Sequence, residues 1–231
     1  MASSSGASYG SSAWTCSNMH IPDGILSLPV LATTGALAAG AVAVGLRKMD
    51  TEDVPRVGVM SSVFFVASLI RVPVGASSAH LLLPGLMGLV LGWRAFPALA
   101  VALFLQAVLF GFGGVTSLGA NILTMGLPAL FCYYVFGALI ARMKDPGSVF
   151  GAAFAAGASG IVLASAVLGA VLVASGKEYT AFALTVLGAH VPVMAIEGFV
   201  TGAAVSFLRK VKPGMLARPR AARREEGRVC P

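Results

Sequence analysis

The stretch of sequence that decides the fold is Val149–Ser175, which reads VFGAAFAAGASGIVLASAVLGAVLVAS. It contains no charged residue, and it exceeds the roughly 20 apolar residues that an α-helix needs to cross about 30 Å of hydrocarbon. The rest of the 231-residue chain matches it, since 57% of its residues are hydrophobic and 11% are charged, with a mean hydropathy of +0.88. This composition predicts an all-α integral membrane protein and excludes the soluble globular class.

Seven apolar segments recur along the chain. They predict a polytopic membrane protein with seven transmembrane helices, or six if one short segment does not cross. The second and third segments are short, so we expect them to be tilted, partly re-entrant or shielded by neighbouring helices. The segments are Ile25–Leu46, Val57–Ile70, Leu81–Trp93, Ala95–Phe112, Ala120–Ala141, Val149–Ser175 and Val191–Leu208.

The basic residues predict the orientation, because Lys and Arg collect in loops that stay in the cytoplasm. If the first segment runs from outside to inside, only Arg71 and Lys177 fall outside. We therefore expect a multi-pass protein of the cell membrane with its N-terminus outside and its C-terminus in the cytoplasm. The net charge of +7 then reflects mostly topology, and the basic tail contacts anionic lipid rather than nucleic acid. The cytoplasmic set is Arg47, Lys48, Arg56, Arg94, Arg142, Lys144 and the cluster from Arg209 to Arg228.

A second informative stretch, Met19-His20-Ile21-Pro22-Asp23-Gly24, precedes the first apolar segment. If Met19 is a free N-terminus, its amine, the His20 amide and the His20 imidazole can close fused chelate rings around one ion. Three nitrogens then lie roughly in a plane, an arrangement that suits Ni(II) or Cu(II). The sequence therefore predicts a metal site on the outer face, on the condition that the Met19 amine is free.

His80 is predicted to supply the fourth nitrogen. It ends the run Ser77-Ser78-Ala79-His80 in the next outside loop, where a flexible segment can bring it to His20. The alternative is a helix-end histidine that hydrogen-bonds to backbone, but beside a Met-His terminus we favour the ligand. His190 is expected outside the chelate, at the start of the last span, where Pro192 suits the first helical turn.

Three polar residues are predicted to support the metal site without binding the ion. Asp23 can orient the His20 ring, a common role for a carboxylate beside a metal-bound histidine, and it can also be a turn residue before Gly24. Gln106 and Asn121 can link loops near the pocket. Asn121 also suits the N-cap of the fifth segment.

Glu197 is an ionisable residue inside an apolar span, which points to a functional role. Gly198 and Gly202 lie at four-residue spacing beside it and indicate a close helix contact, across which Glu197 can simply hydrogen-bond. The sequence leaves both interpretations open.

These motifs resemble those of the CbiM/NikM family, the substrate-specific subunits of energy-coupling-factor (ECF) transporters for nickel and cobalt. The resemblance implies a seven-helix membrane subunit whose N-terminal segment plugs into the extracellular side. It also implies Ni(II) or Co(II) as transported substrate, bound by nitrogens of Met19, His20 and His80. The matching pieces are Met19–Gly24, Ser78-Ala79-His80-Leu81-Leu82, Gln106, Gly113-Gly114-Val115-Thr116, Leu118-Gly119-Ala120-Asn121, Glu197-Gly198 and Thr201-Gly202.

If the chain transports metal uphill, the energy must come from partner subunits. The sequence contains no P-loop, dinucleotide fingerprint, metalloprotease helix or nucleophile motif, so the chain is not expected to be an enzyme or to hydrolyse ATP alone. The resemblance implies three kinds of partner: ECF ATPase subunits, a coupling transmembrane (T) subunit and a small accessory membrane subunit.

Two other classes are weaker alternatives. A self-sufficient secondary transporter or channel should show an internal repeat, and the sequence has no convincing one. A membrane enzyme that uses a metal needs an open coordination position, which a planar four-nitrogen site does not leave. A metal-binding uptake subunit is therefore the preferred function.

The domain boundaries follow from the same motifs. Residues 19–212 are predicted to form the transmembrane metal-binding domain, and residues 213–231 a basic cytoplasmic tail. Residues 1–18 are Ser/Gly-rich, uncharged and without the apolar run of a secretory signal. We expect them to be a dispensable or removed extension, with the working protein beginning at Met19 through translation start or peptidase cleavage.

Overall fold

A computed structural model describes residues 20–74, 77–176 and 190–217, with the backbone alone for residues 71–80. Met19, the extension before it and the tail beyond residue 217 lie outside the described residues. The helices are α1 (Leu28–Arg47), α2 (Val54–Leu69), α3 (Pro84–Leu91), α4 (Ala95–Phe110), α5 (Leu118–Cys132), α6 (Ala138–Arg142), α7 (Pro146–Ser175) and α8 (Val191–Val211). A π-helical segment, Tyr133–Gly137, joins α5 to α6. An antiparallel hairpin, β1 (Arg71–Val74) and β2 (Ser77–His80), stands between α2 and α3.

The helices lie where the apolar segments were predicted, and the all-α membrane class is confirmed. Within the described ranges, five helical stretches are long and apolar enough to cross a bilayer. Helix α2, with 16 residues, is not among them, and α3 and α4 fall within one stretch. Seven transmembrane spans therefore stay a prediction. The five stretches are Leu28–Arg47, Pro84–Phe110, Leu118–Arg142, Pro146–Ser175 and Val191–Val211.

The chain reverses direction between α3 and α4. Helix α2 begins next to Asp53, which forms a salt bridge of 2.7 Å with Arg94 at the start of α4. Near the other ends of these two helices, Gln106 of α4 donates a hydrogen bond to Ser68 of α2 over 2.7 Å. Helices α2 and α4 therefore run in the same direction, and α3, which lies between them in the chain, runs the opposite way. Gly92, with a φ of +58°, allows the turn directly after α3.

Helix α3 lies at the centre of the bundle. All eight of its residues are buried, which confirms that the short third segment is shielded by its neighbours. Its glycines allow close approach: a Cβ on Gly85 would lie 2.8 Å from the Ala156 carbonyl oxygen in α7, and one on Gly88 would lie 1.9 Å from that of Ala129 in α5. Small residues at such contacts are typical of packed membrane helices. Helix α3 is therefore held firmly between α5 and α7.

Basic side chains gather at the end of the bundle that carries Arg94, which we call the Arg94 end. Arg94 donates to the Lys48 carbonyl oxygen over 3.0 Å, and Arg56 donates to that of Gly214 over 3.2 Å. Residues predicted to face the cytoplasm thus lie together. Which end faces the cytoplasm stays a prediction.

The outside loop predicted around Ser77–His80 contains a β hairpin. Its register pairs Arg71 with His80 and Val74 with Ser77. Strand pairing satisfies backbone groups that would otherwise be unpaired next to an apolar bundle, and the β-branched valines of β1 favour it. The backbone of His80 therefore lies at the point where the hairpin ends, four residues before α3 begins.

Candidate metal-binding site

The segment that carries His20 docks against the start of α5. His20 and Ile21 are both buried, with exposed fractions of 3% and 2%. The Ile21 N–H donates to Asn121 Oδ1 over 2.8 Å, and Asn121 Nδ2 donates to the Ile21 carbonyl oxygen over 3.1 Å. Ser117 Oγ donates to the same carbonyl. Both backbone groups of the residue after His20 are therefore held by side chains of the α5 region.

Asp23 provides a second anchor for this segment. Its carboxylate accepts backbone N–H groups from Val115 over 3.2 Å, Thr116 over 2.9 Å and Ser117 over 3.2 Å, and it also accepts the Thr116 hydroxyl. Successive backbone N–H groups that point at one anion form a concave binding site for it. We call this end of the bundle, where His20–Asp23 meets residues 113–117, the Asp23 end.

The pKa of Asp23 is lowered from its usual value, chiefly by the hydrogen bond from the Thr116 side chain and further by the three backbone N–H groups. A depressed carboxyl pKa means that the folded state favours the ionised form. The stabilisation is present above the ordinary carboxyl pKa and is lost only as the pH falls through the lowered value. The anchor is therefore intact at neutral and mildly acidic pH.

The docking of Asp23 explains why two glycines, Gly113 and Gly114, precede Val115. A Cβ on Gly114 would lie 1.8 Å from Asp23 Oδ1, and one on Gly113 would lie 2.9 Å from Asn121 Nδ2 and 3.2 Å from His20 Cβ. Gly113 also has a φ of +74°, which side chains other than glycine rarely adopt. No residue with a side chain fits at position 114 while Asp23 is bound.

Gly114→Ala should release the docked segment. The added methyl group must displace the Asp23 carboxylate, whose hydrogen bonds would be lost together. Since a hydrogen bond to a charged group contributes about 1.5–3 kcal/mol, and less where water competes, we expect exchange of the Ile21 amide hydrogen to accelerate about tenfold or more. Hydrogen–deuterium exchange of the N-terminal peptide measures this.

Gly111→Ala is the matched control for that substitution. Unlike Gly114, Gly111 has a positive φ, +65°, but a Cβ there would meet no atom within 4 Å. It should therefore strain the local backbone without touching Asp23. Equal acceleration at Ile21 in both variants would contradict the docking role of Gly114.

The remaining predicted residues are distributed as follows. Asp23 and Asn121 both lie in the docked arrangement around His20, whereas Gln106 is fully buried and links α4 to Ser68 of α2. The prediction that Asn121 is the N-cap of the fifth segment is wrong. Helix α5 begins earlier, at Leu118 with Ser117 at the N-cap position, and the Asn121 side chain binds Ile21 instead.

The predicted chelate itself is only partly within the described residues. Met19 lies outside them, and the side chain of His80 is not described. His190 stands at the N-cap position of α8, with Pro192 in the first turn, as predicted. Among the described residues, no three His, Cys, Asp or Glu side chains form a group able to hold a metal ion.

Glu197 has a role that no sequence motif indicates. Its side chain is fully buried and accepts the backbone N–H groups of Leu82 and Leu83. The predicted close contact at Gly198 also exists, because a Cβ there would lie 2.9 Å from the Phe154 ring in α7. The carboxylate, however, bonds to the chain just after His80 and not across that contact.

This arrangement defines a class of protein: a multi-helix membrane protein with a histidine-bearing segment docked at one end of its bundle. The family model described as "CbiM: Cobalt uptake substrate-specific transmembrane region" matches residues 20–215. The chain belongs to the CbiM family, a family of metal transport proteins and not of enzymes. The family resemblance of the sequence motifs is thereby confirmed.

Curated relatives carry corresponding names. The chain is 35% identical over 201 residues to a putative metal transport protein of Haemophilus influenzae, covering 87% of this chain and 98% of that protein. It is 31% identical over 225 residues to the cobalt transport protein CbiM of Sorangium cellulosum, covering 90% and 99%. It is 33% identical over 229 residues to the fused nickel transport protein NikMN of Rhodobacter capsulatus, covering 88% of this chain and 65% of that one.

Two solved structures share the fold. One, described as a truncated transition metal transporter, superposes with a TM-score of 0.63 at 25% identity and covers 83% of this chain and 98% of that one. The other, described as a transition metal transporter, superposes with a TM-score of 0.61 at 27% identity, covering 83% and 93%.

Proposed function

We propose that this chain is the substrate-binding subunit of an ECF transporter and binds a divalent transition metal ion for uptake, Ni(II) in preference to Co(II). In this proposal the ion is held by the Met19 amine, the His20 amide and imidazole, and the His80 imidazole. Asp23, Asn121 and Gln106 support the site without contacting the ion.

The observation that carries the proposal is the docking of the His20 segment. A chelate that uses the His20 amide needs the backbone at His20 to be held in one conformation. The bonds of Asn121 to both backbone groups of Ile21 supply this restraint directly after His20, and the Asp23 anchor supplies it three residues later. Ordering a ligand segment before the ion arrives reduces the entropy lost on binding.

The buried position of His20 also suits metal binding. Its exposed fraction of 3% leaves few water molecules to compete for an ion. The backbone of His80 ends the hairpin that follows α2. Ser68, near the end of α2, bonds to Gln106 of α4, and α4 leads on to residues 113–117 at the Asp23 end. Helix α2 therefore runs towards the Asp23 end. A fourth nitrogen from this hairpin is therefore compatible with the fold.

The proposal assigns the energy of transport to partner subunits. The chain carries no nucleotide-binding motif, so uphill uptake requires ECF ATPase subunits, a coupling T subunit and a small accessory subunit. The Rhodobacter capsulatus relative is a fused protein of which this chain covers only part. The fusion in that relative supports a need for further transport components.

The metal preference tests the proposed donor set. A deprotonated amide nitrogen favours square-planar ions, and affinity for nitrogen ligands generally rises from Co(II) to Ni(II). We expect the purified protein that begins at Met19 to bind Ni(II) at least about tenfold more tightly than Co(II), a difference of about 1.4 kcal/mol. Competition titration measures it, and a clear preference for Co(II) would contradict the planar chelate.

A further inference from the structure

The carboxylate of Glu197 is bonded to the backbone that follows His80. Glu197 Oε1 accepts the N–H of Leu82 and, over 2.9 Å, that of Leu83, while Oε2 accepts the Leu83 N–H over 3.0 Å. These residues connect β2 to α3, and Leu82 is two positions beyond His80. Two residues span at most about 7 Å, so the bonds constrain the chain close to His80.

The connection needs such a partner. Leu82 and Leu83 precede α3, so their N–H groups have no acceptor within that helix. Leu83 also adopts a left-handed conformation, with φ +51°, which is unfavourable for a branched side chain. An unpaired amide in an apolar interior is costly, and the Glu197 side chain removes that penalty by accepting both N–H groups.

Glu197 itself is held in place by helix packing. A Cβ on Gly157 of α7 would lie 2.6 Å from the Glu197 carbonyl oxygen, and Gly85 of α3 approaches the α7 backbone equally closely. Helices α3, α7 and α8 thus form one tightly packed unit. Because α3 and α7 contain no charged residue, neither helix offers this carboxylate an ion-pair partner.

We infer that Glu197 is a positioning residue for metal binding: it fixes the backbone after His80 and so holds the His80 imidazole where the ion binds. This inference rests on the proposed function, since it assumes that His80 is a ligand. It gives a reason for an ionisable group at the centre of an apolar bundle, where such groups are expensive.

The test compares Ni(II) binding in variants of the protein that begins at Met19. Glu197→Leu removes both acceptors, and we expect it to weaken Ni(II) binding by roughly 10 to 100-fold, the loss typical of a residue that orients a metal ligand. The absorption spectrum of bound Ni(II) should shift towards that of His80→Ala. Glu197→Gln should retain most of the affinity, because its carbonyl oxygen can accept both N–H groups.

A double-mutant cycle separates positioning from general destabilisation. If Glu197 acts through His80, the double variant His80→Ala/Glu197→Leu should bind no more weakly than His80→Ala alone, within about twofold. Thr201→Val, one turn further along α8, is the control for packing, since the Thr201 hydroxyl is buried without a hydrogen-bond partner in the described structure. It should leave Ni(II) affinity unchanged.

Each remaining outcome has a defined meaning. Independent losses that multiply in the double variant, or wild-type affinity in Glu197→Leu, would overturn the positioning role. If Glu197→Leu does not fold, Glu197→Asp replaces it, because its shorter side chain cannot reach both N–H groups and should show the same spectral shift. Unchanged binding in His80→Ala would instead overturn the proposed metal site itself.

Discussion

His80→Ala should abolish most Ni(II) binding. The substitution removes one of four proposed nitrogen ligands and leaves an open position in the square plane, which water fills less strongly than imidazole. Losing a residue that merely orients a ligand lowers metal affinity by roughly 10 to 100-fold, so losing the ligand should exceed that range. Isothermal titration with Ni(II), on protein that begins at Met19, measures the effect.

His190→Ala is the matched control. His190 is buried, at 5% exposed, but it stands at the N-cap position of α8 and is not part of the proposed donor set. Its replacement should change Ni(II) affinity little once the values are normalised to folded protein. If the two histidine variants lost affinity to the same extent, the assignment of His80 as the fourth ligand would be wrong.

The helices of this protein could be predicted from the sequence because their signal is local. A run such as Val149–Ser175 needs no partner to be recognised, and α7 extends over Pro146–Ser175. The hairpin before α3 could not be predicted in the same way. Each of its strands has four residues. That is too few for the alternation of apolar and polar side chains in a strand to be distinguished from the sequence of a loop.

The contacts at the Asp23 end depend on residues far apart in the chain. Gly113 and Gly114 stood out in the sequence only as part of the family motif, because the docked segment that they contact lies about 90 residues earlier and one sequence contains no signal for that pairing. The wrong N-cap assignment of Asn121 has the same origin. Its side chain satisfies local capping rules, yet its bonds to Ile21, 100 residues away, determine its conformation.

Glu197 illustrates a third case. Its apolar surroundings indicated that it was unusual, and the neighbouring glycines suggested a bond across the α7–α8 contact. The acceptor role emerges only because the connection before the short buried helix α3 places the N–H groups of Leu82 and Leu83 against Glu197 of α8. Nearly every residue has a backbone N–H group, so the sequence does not show which of them Glu197 binds. A cationic side chain as partner would be visible in the sequence.

Joining residues to Met19 should weaken Ni(II) binding by at least as much as His80→Ala. A peptide bond turns the Met19 amine into an amide, which binds metal only after losing its own proton and is a far weaker donor at neutral pH. It also adds atoms next to the proposed metal site. A protein that begins at Met19 and one with a single Ala before Met19 differ in almost nothing else, so they isolate the amine.

The comparison needs a control for disturbance of the docked segment. A protein that begins at Met19 but carries Ile25→Ala keeps the free amine and perturbs the same segment, and it should retain most of its affinity. N-terminal sequencing of each sample establishes which terminus binds the metal. Full Ni(II) affinity in molecules with an intact residue before Met19 would rule out the amine as a ligand. If adding one Ala abolishes binding while the Ile21 amide stays protected from exchange, the segment is still docked. The loss is then due to the nitrogen donor.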